Sequence, residues 1–150
     1  MMIDERIAAF LHKQTVAAIS LTDIDGNPYC FHCFYAYDAE KNLLYFKTSM
    51  HSHHGALLVN GKKVAGAIQP DKLNKAAIRG LQFTGQFIAP NTEKAADASK
   101  VYHKAYPFAL MMPGELWTVE LQWMKFTDNT LTFGKKLIWQ AGETSAAAVS

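Results

Sequence analysis

The chain has 150 residues, of which 49% are hydrophobic and 12% aromatic, enough apolar mass to fill the core of one domain. The net charge is only +2, and no basic run is long enough to follow a polyanion, which argues against nucleic acid as a partner. No apolar run reaches the roughly 18 to 20 residues of a membrane span, and the N-terminus lacks the pattern of a secretory signal. We therefore expect a cytoplasmic protein that does not contact membranes.

The apolar pattern of the N-terminal half predicts one helix and four strands. Apolar residues at helical spacing from Ile3 to Leu11 predict a short amphipathic helix. Residues 25–28 are Asp, Gly, Asn and Pro, which is typical of a hairpin turn between the first two strands. Both faces of the second strand carry large or apolar residues, so we expect both to be covered. The four strands are predicted over residues 16–21, 29–37, 43–48 and 64–69.

Two longer strands follow in the C-terminal half. Residues 78–89 are rich in Leu, Phe, Thr and Ile, and Gly80 and Gly85 mark positions at which a barrel strand can bend. Alternating large residues from Trp117 to Trp123 are predicted to share one face of the next strand. A turn and a final strand then bring the chain to residue 139.

Two further helices are predicted from capping residues. Ser49 or Ser52 can cap a short helix directly after the third strand, and Asn91 or Thr92 can cap a helix whose apolar residues keep helical spacing as far as Ala105. The whole pattern predicts a mainly β fold, a barrel of six to seven antiparallel strands with two to three helices, over residues 1–139. Residues 140–150 have little to bury and are expected to be a disordered tail.

Residues 47–55 form the densest polar cluster, at the point where a strand gives way to a predicted helix. The first turn of a helix offers unpaired backbone N–H groups and a partial positive charge, and the cluster adds hydroxyls, imidazoles and a lysine. This combination favours the binding of a small anion such as phosphate. The alternative, from these residues alone, is an ordinary capped helix start with exposed histidines.

A metal or dithiol site is the less favoured interpretation of the histidines and the two cysteines. In a strand, Cys30 and Cys33 point to opposite faces, so they can neither chelate one ion nor form a relaxed disulfide. We expect no metal and interpret both thiols as small buried hydrophobic groups. The sequence also lacks a Gly-x-Ser-x-Gly motif and a suitably placed acidic pair for hydrolysis.

The order of elements and residues 44–54 resemble the pyridoxamine 5'-phosphate oxidase-like FMN-binding split-barrel family. Members of that family follow an aromatic-ended strand with Thr-Asn, a short spacer and Ser-Arg-Lys at a helix start. Thr48, Ser49 and Ser52 match this pattern, whereas the Arg and Lys positions fall on histidines. Residues 127–139 resemble more specifically the YhbP-like branch of uncharacterised bacterial proteins.

The resemblance implies FMN bound at the interface of a homodimer. The phosphate would lie near the helix that starts at Ser52, the flavin ring would lie over the second strand, and a lysine near residue 135 would come from the partner subunit. The residues that the resemblance assigns to the cofactor are Lys47, Thr48, Ser49, Ser52, His53, His54, His32, Phe34, Lys135 and Lys136.

The departures from the family pattern bear on activity. A lysine that approaches the flavin in the true oxidases falls on Tyr35, and no Arg-x-His pair stands between Thr130 and Gly134. The resemblance therefore implies an FMN-dependent oxidoreductase of unknown small-molecule substrate and electron donor, not a pyridoxamine 5'-phosphate oxidase. The alternative is a non-enzymatic, stress-related or ligand-binding member that binds flavin weakly, or binds heme through His53 or His54.

Two expectations follow for assembly and for pH dependence. One face of the second strand carries aromatic residues that need cover, which predicts a homodimer. They are Tyr29, Phe31, Tyr35 and Tyr37. An unperturbed histidine has a pKa of about 6.5. With His53 and His54 in place of permanent charges, FMN affinity is expected to rise as the pH falls from about 8 to about 6.

Overall fold

The computed structural model describes residues 3–49, 51–130, 136–142 and 147–149. Short 3₁₀ turns at Gly55–Leu57, Glu93–Ala95 and Pro107–Met111 connect some of the elements. None of the helices in these ranges is long and apolar enough to cross a membrane. In chain order the elements are α1 (Glu5–Lys13), β1 (Val16–Thr22), β2 (Pro28–Asp38), β3 (Leu43–Thr48), β4 (Lys63–Ile68), β5 (Arg79–Ile88), α2 (Ala98–Ala105), β6 (Glu115–Asp128), β7 (Lys136–Gln140) and β8 (Ala147–Val149).

Six strands close into an antiparallel barrel in the order β1-β2-β3-β6-β5-β4, and β4 pairs back to β1. Strand β6 is long enough to pair with two different strands in succession. Its first half pairs with β3 and its second half with β7, so the sheet extends beyond the barrel. This confirms the predicted mainly β, split-barrel fold.

Helix α1 forms as its apolar spacing predicts and packs its apolar face against the main core. The Asp4 side chain caps its first turn by accepting a hydrogen bond from the Arg6 backbone N–H at 2.9 Å. Ile7, Phe10 and Leu11 are buried in the main core. Burial of each such side chain contributes about 1.5–3 kcal/mol, so tertiary packing holds this nine-residue helix in place.

Gly85, one of the two glycines predicted to allow a bend in β5, lies where the pairing with β6 shifts register, between Thr84 and Gly85. A Cβ atom at Gly85 would lie 2.4 Å from the Glu120 carbonyl oxygen, so only glycine fits this close approach. The bulge adds one residue to β6 and reverses its alternation. The prediction that Trp123 shares the face of Trp117 is therefore wrong. Trp117, before the bulge, is buried, whereas Trp123, after it, lies on the opposite face and is half-buried.

The prediction that both faces of β2 are covered is also wrong. Phe31 and Tyr35 are buried in the barrel core, but on the opposite face Cys30 and His32 are exposed and Phe34 is 51% exposed. Tyr106 covers part of Phe34, with ring centroids 5.7 Å apart, and leaves Cys30 and His32 open. Cys30 is accordingly not a buried hydrophobic group as predicted, although it and Cys33 do lie on opposite faces.

The helix predicted after β3 does not form. Ser52 Oγ donates to the Ser49 carbonyl oxygen at 2.7 Å and accepts from the Gly55 N–H at 3.0 Å, so a side chain satisfies backbone groups that a helix would use. Only the 3₁₀ turn Gly55–Leu57 follows. The second predicted helix starts later than expected, because Thr92 precedes a separate 3₁₀ turn and α2 begins at Ala98.

The C-terminal tail differs from the expected disorder at one point. Residues 147–149 form β8, which pairs antiparallel with β7. The outer edge of β7 presents backbone N–H and C=O groups that need partners, and a short run of alanine and valine can supply them.

Candidate functional site

A cleft of about 270 Å³ opens at the end of β3, between the exposed face of β2 and residues 107–114. Pairing of β3 with β6 places Thr48 opposite Glu115, so the segment that leads into β6 passes beside the end of β3. Half of the ten residues predicted to bind the cofactor line this cleft. They are His32, Phe34, Lys47, Thr48 and His54.

Lys47 supplies the positive charge of the cleft. Its half-buried Nζ donates to the Ala109 carbonyl oxygen at 2.7 Å and lies 3.2 Å from His103 Nε2. Among the residues that the structure describes, no carboxylate lies within 4.0 Å of this ammonium group. A half-buried cation that no described carboxylate neutralises favours the binding of an anion.

Thr48 and His54 form a hydrogen-bonded pair beside this charge. Thr48 Oγ1 lies 2.6 Å from His54 Nε2, and the imidazole stacks on the Phe31 ring with centroids 4.0 Å apart. Burial, followed by the nearby charge of His53, lowers the pKa of His54 below its usual 6.5. This shift favours the neutral imidazole, so we interpret His54 as a hydrogen-bonding group of the cleft and not as a substitute for a permanent cation.

The other predicted residues of the 47–55 cluster lie outside the cleft lining. Ser52 stands behind Thr48, with the two hydroxyl oxygens 3.4 Å apart. Ser49 is exposed, and its Oγ accepts from the His51 N–H at 3.1 Å. His53 is exposed and packs against the Tyr29 ring with centroids 4.6 Å apart. Ser52 thus supports the turn that carries His54.

Of the two predicted C-terminal lysines, Lys136 does not join the cleft of its own chain. Lys136 pairs with Thr127 near the end of β6, whereas Lys47 pairs with Leu116 near its start. Lys136 is therefore far along the strand from the cleft. Lys135 lies outside the described residues.

Residues 107–113 form an apolar wall of the cleft that the sequence analysis did not single out. Phe108, Ala109, Met112 and Pro113 line it, and Phe108 and Met112 are 60% and 55% exposed. The signal in the sequence is an apolar run in a loop between two prolines, where polar residues are usual. Tyr102 of α2 also lines the cleft, and its neighbour His103 contacts Lys47.

The thiol in this region is not set up for nucleophilic or metal chemistry. Burial raises the pKa of Cys33 to about 12, so the group stays protonated. Cys30 lies on the other face of the strand and is exposed. Within the part of the chain that is described, no three His, Cys, Asp or Glu side chains come together as a metal site.

The lowered pKa of His54 predicts a loss of stability in mild acid. The unfolded chain binds a proton at His54 at a higher pH than the folded chain does, so the free energy of unfolding must decrease as the pH falls through about 6.5. Urea unfolding at pH 7.5 and pH 5.5 should show a smaller decrease for His54→Gln than for wild type. His51→Gln serves as the control, because His51 is an exposed histidine of the same segment. Equal decreases in wild type and His54→Gln would contradict this assignment.

No protein-family model matches the chain, but close relatives exist among bacterial proteins. The UPF0306 protein of Serratia proteamaculans is 38% identical over 138 residues, which cover 90% of this chain and 93% of the relative. The UPF0306 protein YhbP of Escherichia coli O127:H6 is 35% identical over 134 residues, covering 89% and 95%. Both matches span nearly the full length of each protein.

Solved structures share the fold at low sequence identity. A heme binding protein from Mycobacterium smegmatis gives a TM-score of 0.73 at 14% identity over 93% of this chain, which spans 59% of that protein. An FAD binding protein from the same organism gives 0.67 at 12% identity, covering 85% of this chain and 95% of that one. A pyridoxamine 5'-phosphate oxidase-related, FMN binding protein from Nostoc punctiforme gives 0.66 at 10% identity, covering 97% and 95%.

These neighbours confirm the resemblance to flavin-binding split barrels at the level of the fold. They include flavin-binding and heme-binding proteins, so the fold alone does not choose between the two ligands. The sequence matches to the bacterial relatives have much higher identity than these structural matches, and they define the family to which the chain belongs. At 38% and 35% identity over about nine tenths of its length, the chain belongs to the UPF0306 family that includes YhbP.

Proposed function

We propose that this protein binds FMN in the cleft at the end of β3 and acts as an FMN-dependent oxidoreductase on a small molecule. The observation that carries the proposal is the half-buried ammonium of Lys47. Among the described residues no carboxylate pairs with it, and it faces a cleft with aromatic and apolar walls. A ligand that joins a phosphate to a flat, largely apolar ring system matches both features.

The donor set of the cleft fits a phosphate group. The ammonium of Lys47 has three N–H donors. The Ala109 carbonyl and His103 take two of them, which leaves one for a phosphate oxygen. The hydroxyl of Thr48 lies next along the strand and adds a neutral donor in the tautomer in which His54 Nε2 donates to Thr48 Oγ1.

The walls of the cleft suit a planar ring. Phe34 and Phe108 both stand near Tyr106, with ring centroids 5.7 and 6.2 Å from it, and form an aromatic rim. Such faces exclude water and stack against a flat ligand. When bound, FMN supplies the electron-transfer chemistry, and the protein contributes binding, orientation and exclusion of water.

A fluorescence titration with FMN and with riboflavin tests this assignment. The two ligands share the flavin ring and differ in the phosphate. We expect FMN to bind more tightly, because only FMN engages Lys47 and Thr48. Equal affinity for the two ligands would remove the phosphate site from the proposal.

Heme is the second candidate, because His54 is kept uncharged by its lowered pKa. A neutral imidazole is the form that binds heme iron. The similarity to the heme binding protein from Mycobacterium smegmatis also supports this candidate. Its test is the appearance of a Soret band when heme is added, and the loss of that band in His54→Ala.

The exposed face of β2 supports a homodimer, which stays a prediction. The face that needs cover is not that of Phe31 and Tyr35, which are buried, but the face of Phe34. Leu110 and Met111 are also exposed, at 66% and 90%, and extend the apolar surface next to the cleft. Apolar patches of this kind commonly mark protein interfaces.

Phe34→Asp is expected to weaken the dimer by about 30-fold or more, because a buried aromatic anchor contributes about 2 kcal/mol or more to an interface. Light scattering across a concentration series measures this change. Ile24→Asp is the matched control, since Ile24 is 93% exposed at the β1–β2 turn and should leave the dimer intact. A monomeric wild-type protein at micromolar concentration would contradict the prediction.

A further inference from the structure

Helix α2 contributes Tyr102 to the cleft lining, and its neighbour His103 contacts Lys47. The Nε2 atom of His103 lies 3.2 Å from Lys47 Nζ. On the other side of the ring, Nδ1 lies 2.8 Å from the Ser99 carbonyl oxygen and 3.1 Å from Ser99 Oγ. The imidazole therefore bridges the helix backbone and the ammonium group that carries the proposed function.

These contacts fix which nitrogen of His103 bears the proton. The Ser99 carbonyl oxygen can only accept a hydrogen bond, so Nδ1 must be the donor. In the neutral ring Nε2 then has a free lone pair, which points at the ammonium of Lys47. Lys47 is a donor only, so this is the tautomer in which both contacts are hydrogen bonds.

We propose that His103 is a positioning residue that aims the ammonium of Lys47 into the cleft by accepting a hydrogen bond at Nε2. The inference rests on the proposed function, in which Lys47 binds the phosphate. A lysine side chain has many rotamers and loses up to about 2 kcal/mol of entropy when it is fixed. Two acceptors on separate elements, the Ala109 carbonyl and His103, hold it in one rotamer before the anion arrives.

Substitutions at His103 separate this role from simple packing. Glutamine places a carbonyl oxygen near the position of Nε2 and can still accept from Lys47. Asparagine is shorter and reproduces only the contact of Nδ1 with Ser99, and leucine fills the space without an acceptor. We expect the Kd for FMN to rise about tenfold in His103→Asn and His103→Leu, and to stay within about twofold of wild type in His103→Gln. The Kd for riboflavin should be unchanged in all three variants.

The tautomer provides a readout that needs no ligand. Nitrogen-15 NMR of the ligand-free protein should show His103 protonated at Nδ1 and unprotonated at Nε2. Ser99→Ala should leave this tautomer in place, because the backbone carbonyl remains. The opposite tautomer would overturn the inference whether or not FMN binds.

The outcomes distinguish the inference from the function on which it rests. Equal FMN affinity in wild type, His103→Gln, His103→Asn and His103→Leu would overturn the positioning role. So would a loss of affinity in His103→Gln that matches the loss in His103→Leu, since that pattern indicates packing. If wild-type protein binds no FMN, the proposed function fails, and the NMR tautomer alone then decides whether His103 holds Lys47 as inferred.

Discussion

Lys47→Met should raise the Kd for FMN by about 10- to 100-fold and leave the Kd for riboflavin nearly unchanged. The variant keeps the length and the apolar stem of the side chain but removes the ammonium charge, which no described carboxylate pairs with in the cleft. A hydrogen bond to a charged group contributes about 1.5–3 kcal/mol, and each 1.4 kcal/mol is a factor of ten in affinity. Fluorescence titrations of both ligands at fixed ionic strength measure the effect.

Lys63→Met is the matched control, because Lys63 is an exposed lysine on β4 away from the cleft. It makes the same change in net charge, so it corrects for any general electrostatic attraction of the phosphate. An equal loss of FMN affinity in the two variants would mean that Lys47 has no specific role. A matching loss of riboflavin affinity in Lys47→Met would mean that the substitution damages the cleft itself.

Gly114→Ala should destabilise the fold by about 2–3 kcal/mol and also weaken FMN binding. Gly114 has a φ of +135°, a conformation that residues with a side chain rarely adopt, and a Cβ atom would lie 3.0 Å from the Thr48 carbonyl oxygen and 3.3 Å from Lys47 Cγ. Strain of this kind costs on the order of 1–3 kcal/mol. The close contacts of the new Cβ atom add to this cost. Relieving them must displace Thr48 and Lys47, the two residues proposed to bind phosphate.

Gly26→Ala separates the backbone effect from the effect on the site. Gly26 also has a positive φ, at +83°, but a Cβ atom there would meet nothing within 4 Å. Chemical denaturation should show a loss of about 1–2 kcal/mol for this variant, with FMN affinity unchanged. If Gly114→Ala kept wild-type FMN affinity, the close packing of residues 107–114 against β3 would not matter for the cleft.

The fold was largely predictable because its determinants are local. The spacing of apolar residues identifies α1, and the turn residues at 25–28 identify the first hairpin. The bend at Gly85 follows from a glycine in a strand. The face on which Trp123 lies was not predictable, because the bulge that reverses the alternation of β6 depends on how two strands pair.

The site was predictable only in its local part. Lys47, Thr48 and His54 lie close together in the segment that resembles the family pattern, and they do meet in one cleft. His103 is 56 residues from Lys47, and only the packing of α2 brings it there. The helix predicted after β3 does not form, because Ser52 hydrogen-bonds to Ser49 and Gly55 and stabilises a turn. A serine side chain can either cap a helix or form such a turn, and its sequence position alone does not decide between the two.

An absorption spectrum after competitive loading tests the central claim most directly. Purified protein is incubated with equimolar FMN and heme, passed over a desalting column and scanned from the near ultraviolet through the visible. The account predicts retained flavin bands in the near ultraviolet and the blue, lost in Lys47→Met and kept in Lys63→Met. A spectrum without flavin bands, or one that shows only a Soret band, would contradict the assignment of this cleft to FMN.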